Sequence, residues 1–279
     1  MAPAVFPLVL MAALLHATWN TLLKGSEDPL ASATRAVSSS AVLMTPLVVV
    51  AWLVAGHPGL PPAGWVLCLV SGALEVVYFV FLSTAYRRGE LSVVYPIARG
   101  TAPAVAVILG LVVLGEHVRP GELAGVLCLL LGMWAIRRPV GAGRALAPAL
   151  ATGVAIALYS AVDRVGVRLG PPWLYLWGLW LVASAGLVPI SIWRERRHPL
   201  AQPSWPRAVV IGVLMTVAFF MVLIAYRIAP LVVVAPLRES AIVLVAAWGI
   251  WRLREREGTV LKLSGAAAIV AGATLVAIG

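Results

Sequence analysis

Glu75 lies midway along an apolar stretch, with Ser71 one helical turn before it and Tyr78 about one turn after. A charge at such depth in a membrane costs ~3 kcal/mol or more, so this carboxyl requires either a partner or a proton. The chemistry open to it is that of a proton carrier, of a counter-ion for an amine-bearing solute, or of an ion pair with Arg99 or Arg238. Arg99 stands in the stretch Tyr95, Pro96, Ile97, Ala98, Arg99, Gly100, Thr101, Ala102, Pro103, and Arg238 is followed at once by Glu239. The four deep charges Glu75, Arg99, Arg238 and Glu239 sum to zero, which allows a closed electroneutral network. Such a network can act as a gate, as a clamp for a solute carboxylate, or as a brace. Arginine suits a carboxylate because its planar fork donates two parallel hydrogen bonds.

A second set lies on the first apolar stretch, where His16, Asn20 and Lys24 recur every four residues and so share one helix face with Trp19 beside them. Tyr159, Ser160 and Arg164 form a similar stripe later in the chain. Lys24 and Arg164 are expected to snorkel to the interface, and Asn20 and Ser160 to hydrogen-bond neighbouring helices. His16 is deeper and is expected to make a neutral hydrogen bond between helices, with a solute or proton role as the alternative. The candidate solute-binding residues are therefore His16, Trp19, Asn20, Glu75, Tyr78, Tyr95, Arg99, Tyr159, Ser160, Arg238 and Glu239.

The elements that must position these groups are apolar helices. Of the 279 residues 62% are hydrophobic and 11% charged, with a mean hydropathy of +0.99; soluble domains carry roughly 25% charge. Ten segments can be drawn, at 3–23, 31–55, 63–86, 91–114, 121–137, 146–166, 172–193, 207–227, 231–251 and 260–278. Most reach the ~20 residues that span ~30 Å of hydrocarbon, and the fifth is short. The fold class expected is an all-α integral membrane protein of ten transmembrane helices. Pro96, Gly100 and Pro103 are expected to weaken the fourth helix and free backbone groups, which is tolerated only beside protein or water. The first segment has no basic region before it and reads as an uncleaved helix.

The second half of the chain repeats the first at an offset of 140 residues. Ala85, Tyr86 and Arg87 return as Ala225, Tyr226 and Arg227; Val93, Val94 and Pro96 as Val233, Val234 and Pro236; Leu123, Gly125 and Gly132 as Leu263, Gly265 and Gly272. The domains expected are residues 1–140 and 141–279, each of five helices. Five is odd, so the second copy enters the membrane in the opposite sense, the pattern of alternating-access transporters with a site between the halves. Glu75 corresponds to Met215 and Arg99 to Glu239, so the symmetry is broken where the charges lie. Gly125 with Gly132, and Gly265 with Gly272, mark close-packing faces for a scaffold pair or a homodimer contact.

The formal charge of +10 is distributed between spans and forms no single basic face, so nucleic acid is not an expected partner. Loops after odd-numbered spans carry fifteen Lys and Arg, and the opposite side carries four. By the positive-inside rule the odd loops face the cytoplasm and both termini lie outside. Trp19, Trp52, Trp65, Trp134, Trp173, Trp193, Trp205 and Trp251 read as a belt at the interfaces. Cys68 and Cys128 lie within spans and without metal-ligand spacing, so neither a metal nor a disulfide is expected. No nucleotide-binding P-loop, HExxH or GxSxG motif is present, so neither ATP nor another cofactor is implied and an enzyme is disfavoured.

His16 to Asn20 followed by Lys24, the run from Ala85 to Pro96, Gly115 and Glu116 after the fourth span, and the two five-span repeats resemble the EamA-type members of the drug/metabolite transporter superfamily. The resemblance covers nearly the whole chain. It implies a ten-helix bundle with helices 5 and 10 at the periphery and a cavity lined by helices 1, 3, 4, 6, 8 and 9. It also implies export of small metabolites, such as amino acids or amphipathic compounds, across the cytoplasmic membrane. The function expected is a secondary transporter working by alternating access, with a small solute and membrane lipid as partners. A passive facilitator or channel, and a non-transporting scaffold or sensor, are the alternatives.

Overall fold

The computed structural model describes residues 5–89, 91–136, 143–197, 203–239 and 259–278, and among them every regular element is helical. The helices are α1 (Val5–Lys24), α2 (Pro29–Val54), α3 (Pro62–Arg88), α4 (Leu91–Ile108), α5 (Pro120–Ile136), α6 (Leu146–Gly166), α7 (Pro172–Arg197), α8 (Trp205–Ile228), α9 (Leu231–Arg238) and α10 (Thr259–Ile278). A π turn at Leu109–Val113 follows α4, and a short 3₁₀ turn at Gly143–Ala145 leads into α6. Six of the described helical segments are long and apolar enough to cross a membrane: α1, α2, α3, α7, α8 and the segment 143–166. Their outer faces show why: Val42, Leu47, Val50 and Val54 of α2 are all at least 60% exposed. Apolar side chains displayed in a continuous band on a helix have lipid as their natural surroundings.

Helix ends follow the punctuation in the chain. Asp28 caps α2 by accepting from the backbone N–H groups of Leu30 and Ala31, and Pro29 occupies the first turn, where its missing N–H costs nothing. Pro62 and Pro172 likewise open α3 and α7. The expected weakness of the fourth helix is not at its prolines: α4 continues through Pro96, Gly100 and Pro103. The irregularity comes after Ile108, where a Cβ on Gly110 would meet Val232 Cγ2 at 2.5 Å and Glu116 Oε2 at 2.9 Å. The predicted ninth span is described only as far as Glu239; the rest of it lies outside the described residues.

Packing follows the repeat. α1 lies on α8 as α6 lies on α3, and α2 lies on α8 as α7 lies on α3. Three pairs match a helix with its own counterpart: α2 with α7, α4 with α9, and α5 with α10. The third of these is held by the spaced glycines. A Cβ on Gly125 would stand 2.6 Å from the Gly272 carbonyl oxygen, and one on Gly132 would stand 2.6 Å from that of Gly265. Register falls in α10 as it rises in α5, so the two helices run antiparallel with their backbones in contact. The predicted scaffold pair is therefore present within one chain. α2 and α7 are also antiparallel: Ser38 Oγ lies 2.7 Å from Ser184 Oγ, and Trp177 Nε1 donates to Thr45 Oγ1 at 3.0 Å.

Among the described residues, contacts join the loops after α1 and α7 at one end and those after α4, α6 and α8 at the other. At one end Arg207 donates to the Leu22 carbonyl, Arg35 to the Pro203 carbonyl, and Arg194 pairs with Asp28 at 3.4 Å. At the other, Arg227 donates to the Gly170 carbonyl at 2.9 Å, and Glu116 reaches the start of α9.

Candidate functional site

A narrow cavity between the halves is lined by His16 and Trp19 of α1, Glu75, Tyr78 and Phe79 of α3, Tyr159 of α6, Trp180 of α7, Met215, Phe219 and Val222 of α8, and Arg238 of α9. It has room for water-sized groups. Its aromatic wall is continuous: Tyr78 meets Tyr159 edge-on at 5.8 Å, Tyr159 meets Phe219 at 5.9 Å, and Phe219 meets Trp180 at 5.5 Å. His16 packs edge-on against Trp19 at 4.5 Å. Three pairs of these residues are repeat counterparts, Trp19 with Tyr159, Phe79 with Phe219, and Glu75 with Met215. The wall is therefore nearly symmetric, and the charged groups set into it are not.

Glu75 is 3% exposed, and it forms no ion pair or hydrogen bond among the described residues. The expected pairing with Arg99 or Arg238 is not formed, because Glu239 occupies both arginines. Arg99 Nη1 donates to Glu239 Oε1 at 2.6 Å, and Arg238 Nε stands 3.9 Å from the same oxygen. The electroneutral network of four thus divides into a buried Arg99–Glu239–Arg238 cluster and a separate Glu75 in the cavity wall. His16 Nε2, Trp19 Nε1 and Trp180 Nε1 are also buried without a hydrogen-bond partner among the described residues, which corrects the interhelical hydrogen bond expected for His16 Nε2. Each unsatisfied buried polar atom costs about 1–3 kcal/mol. The residues that carry them line one space together with Glu75 and Arg238, which makes that space suited to a small polar or amphipathic solute.

Other predicted residues fall beside the cavity and hold the bundle together. Asn20 donates to the His16 carbonyl at 2.9 Å and accepts from the Tyr86 hydroxyl at 3.3 Å. Ser160 is 1% exposed and does not line the cavity. Arg99 and Glu239 stand behind it as a buried pair. Tyr95 lies in α4, with its side chain outside the described residues. Lys24 and Arg164 do not snorkel: Lys24 Nζ donates to the Tyr86 carbonyl at 3.0 Å and Arg164 Nη1 to the Tyr226 carbonyl at 2.6 Å. Both pairs are separated by 62 residues and are repeat counterparts, so one interaction is made twice, where cations favour helix C-termini. Trp19 is 2% exposed and lines the cavity, which corrects its place in the expected belt, whereas Trp52, Trp65, Trp193 and Trp205 are exposed.

Three kinds of residue escaped the sequence reading. Phe79 and Phe219 carried a signal, their spacing of 140 residues. Trp180 and Val222 had none, because every face of these helices is apolar. Asp163 of α6 is 0% exposed and accepts from Ser71 Oγ at 2.5 Å and from the Tyr175 hydroxyl at 3.0 Å. Adjacent Arg164 made that end of α6 read as a polar terminus.

Apolar-faced helices around a narrow, partly polar cavity between two matched halves define a polytopic membrane protein. The family profile described as the EamA-like transporter family matches twice, over residues 5–138 and 144–278. The chain belongs to the EamA-like transporter family, a family of membrane transporters of small solutes. A solved structure titled only as a crystal structure of a protein shares its fold, with a TM-score of 0.73 at 21% identity over 98% of this chain and 97% of that one. No curated protein matches the sequence significantly.

Proposed function

We propose that the chain is a secondary transporter that exports small organic metabolites, amino acids or amphipathic compounds, across the cytoplasmic membrane by alternating access. In this reading ten helices cross the membrane as two inverted repeats, residues 1–140 and 141–279, with both termini outside. The observation that carries it is the narrow cavity between the repeats, whose wall holds Glu75, His16 and Arg238 among aromatic side chains. Antiparallel packing of the counterparts α5 and α10 supports the inversion. The surplus of Lys and Arg in odd-numbered loops supports the orientation. Glu75 and Arg238 are the polar contacts for the solute, with Trp19, Tyr78 and Tyr159 as its apolar walls. Asn20, Ser160, Arg99 and Glu239 set the positions of these groups, and Tyr95 is assigned to the α4 side of the path.

Because the cavity admits only water-sized groups, a metabolite requires the halves to separate on one side at a time. The test is uptake of a mixed panel of amino acids and amphipathic metabolites into proteoliposomes, with and without an imposed pH gradient, against protein-free vesicles. Accumulation of one chemical class under the gradient is expected. Equilibration without accumulation identifies a facilitator, and absence of flux for the whole panel overturns the transporter assignment for these solutes.

A further inference from the structure

Asp163 is a fully buried carboxyl with no cation within ion-pairing distance among the described residues. Its Oδ1 accepts both available hydrogen bonds, from Ser71 on α3 and Tyr175 on α7, while its Oδ2 is buried and has no partner. Two costs can be compared. A buried anion without a counter-charge costs several kcal/mol after relaxation, and two neutral donors recover only part of that. A buried hydroxyl without an acceptor costs about 1–3 kcal/mol. The lower-cost state is a neutral carboxyl, with Oδ1 as the carbonyl oxygen that accepts and Oδ2 as the oxygen that carries hydrogen.

The surroundings connect this carboxyl to the cavity. Ser71 and Glu75 stand one turn apart on α3, about 6 Å along the axis. Asp163 lies in the last turn of α6, toward the end of the bundle where the loops after α4, α6 and α8 meet. The other titratable groups around it are Cys68 and Glu75 from α3, Tyr175 from α7, Tyr226 from α8 and Arg238 from α9. Arg238 stands 3.9 Å from Glu239 and forms no ion pair with Asp163, and Arg99 of α4 pairs with Glu239.

We infer that Asp163 is a proton-binding site distinct from Glu75, holding a proton on Oδ2 in the closed state and giving it to water when the α3–α6 seam opens. The proton leaves as hydronium, and the carboxylate left behind keeps its hydrogen bonds from Ser71 and Tyr175. Coupling of this proton to solute movement rests on the transporter reading, but proton binding itself does not.

The decisive measurement is infrared spectroscopy of the purified protein in lipid nanodiscs, in water and in deuterium oxide. The wild type is expected to show a protonated-carboxyl C=O band that shifts on deuteration, persists in Glu75→Gln and is lost in Asp163→Asn. Tyr175→Phe, which keeps the ring and the packing, removes one hydrogen bond to the carbonyl oxygen and should move the band to higher wavenumber. Spectra of Asp163→Asn superimposable on wild type overturn the assignment, as does an unmoved band in Tyr175→Phe if the asparagine variant does not fold. In proteoliposomes given a mixture of amino acids, Asp163→Asn should retain counterflow and lose accumulation driven by a pH gradient. Retained accumulation overturns the coupling. Absence of wild-type flux counts against the transporter reading and leaves the infrared result to decide the proton site.

Discussion

Glu75 and Arg99 illustrate how burial and partners separate residues that look equivalent in sequence. Glu75 faces the cavity and has no ion pair among the described residues, so Glu75→Gln removes a charge without stranding another. Transport by this variant is expected to be abolished or uncoupled while its elution profile stays monodisperse; wild-type rates would remove Glu75 from the mechanism. Arg99 is different, because Arg99→Ala leaves Glu239 with only the more distant Arg238. Removing one partner of a buried pair costs about 3–5 kcal/mol. The variant should lose thermal stability in detergent well beyond Glu75→Gln, and equal melting temperatures would show that Arg238 replaces Arg99 without loss.

At the level of helices, close backbone contact holds α5 to α10, and one acidic side chain holds α9 to α6. A Cβ on Gly132 would stand 2.6 Å from the Gly265 carbonyl oxygen and 3.0 Å from the Ile269 nitrogen, and backbone atoms cannot swing aside as a side chain can. Gly132→Val should therefore separate α5 from α10 at a cost of about 1–3 kcal/mol or more, read as a lower melting temperature. An unchanged melting temperature would show that the pair has slack. Glu116 accepts from the Leu231 and Val232 N–H groups at 2.9 and 3.0 Å, and from Arg164 Nε at 2.8 Å. It caps α9 and ties it to α6, next to the π turn that ends α4. Glu116→Gln keeps one acceptor but loses the charge, and should increase hydrogen exchange at the start of α9 selectively. Uniform change across the bundle would mean that the cap is only part of global stability.

For the whole molecule, the orientation proposed rests on charge and the two halves proposed rest on repetition. Odd-numbered loops carry fifteen Lys and Arg against four on the opposite side, and among the described residues Arg35 and Arg207 find their partners at one end and Arg227 at the other. A reporter that is active only in the cytoplasm, fused at Gly279, should therefore be silent, and activity there would reverse the orientation.

The amino-acid sequence by itself determined the helices and their repetition. Backbone hydrogen bonds within a membrane helix are local, and length and apolarity decide whether a segment can lie in hydrocarbon. That is why predicted and observed limits agree at 146–166 and differ by a residue or two at 121–137 and 260–278. The glycines of α5 and α10 were legible for the same reason, since their spacing places them on one face whatever lies opposite. Tertiary structure alone decided which charges meet. Arg99 finds Glu239 across 140 residues of sequence, Glu75 is left in the cavity wall, and Asp163 is enclosed by Ser71 and Tyr175 from two other helices. When every helix face is apolar, hydrophobicity cannot state which face turns inward, so the partners of a buried charge depend on helix neighbours that only the packed bundle defines.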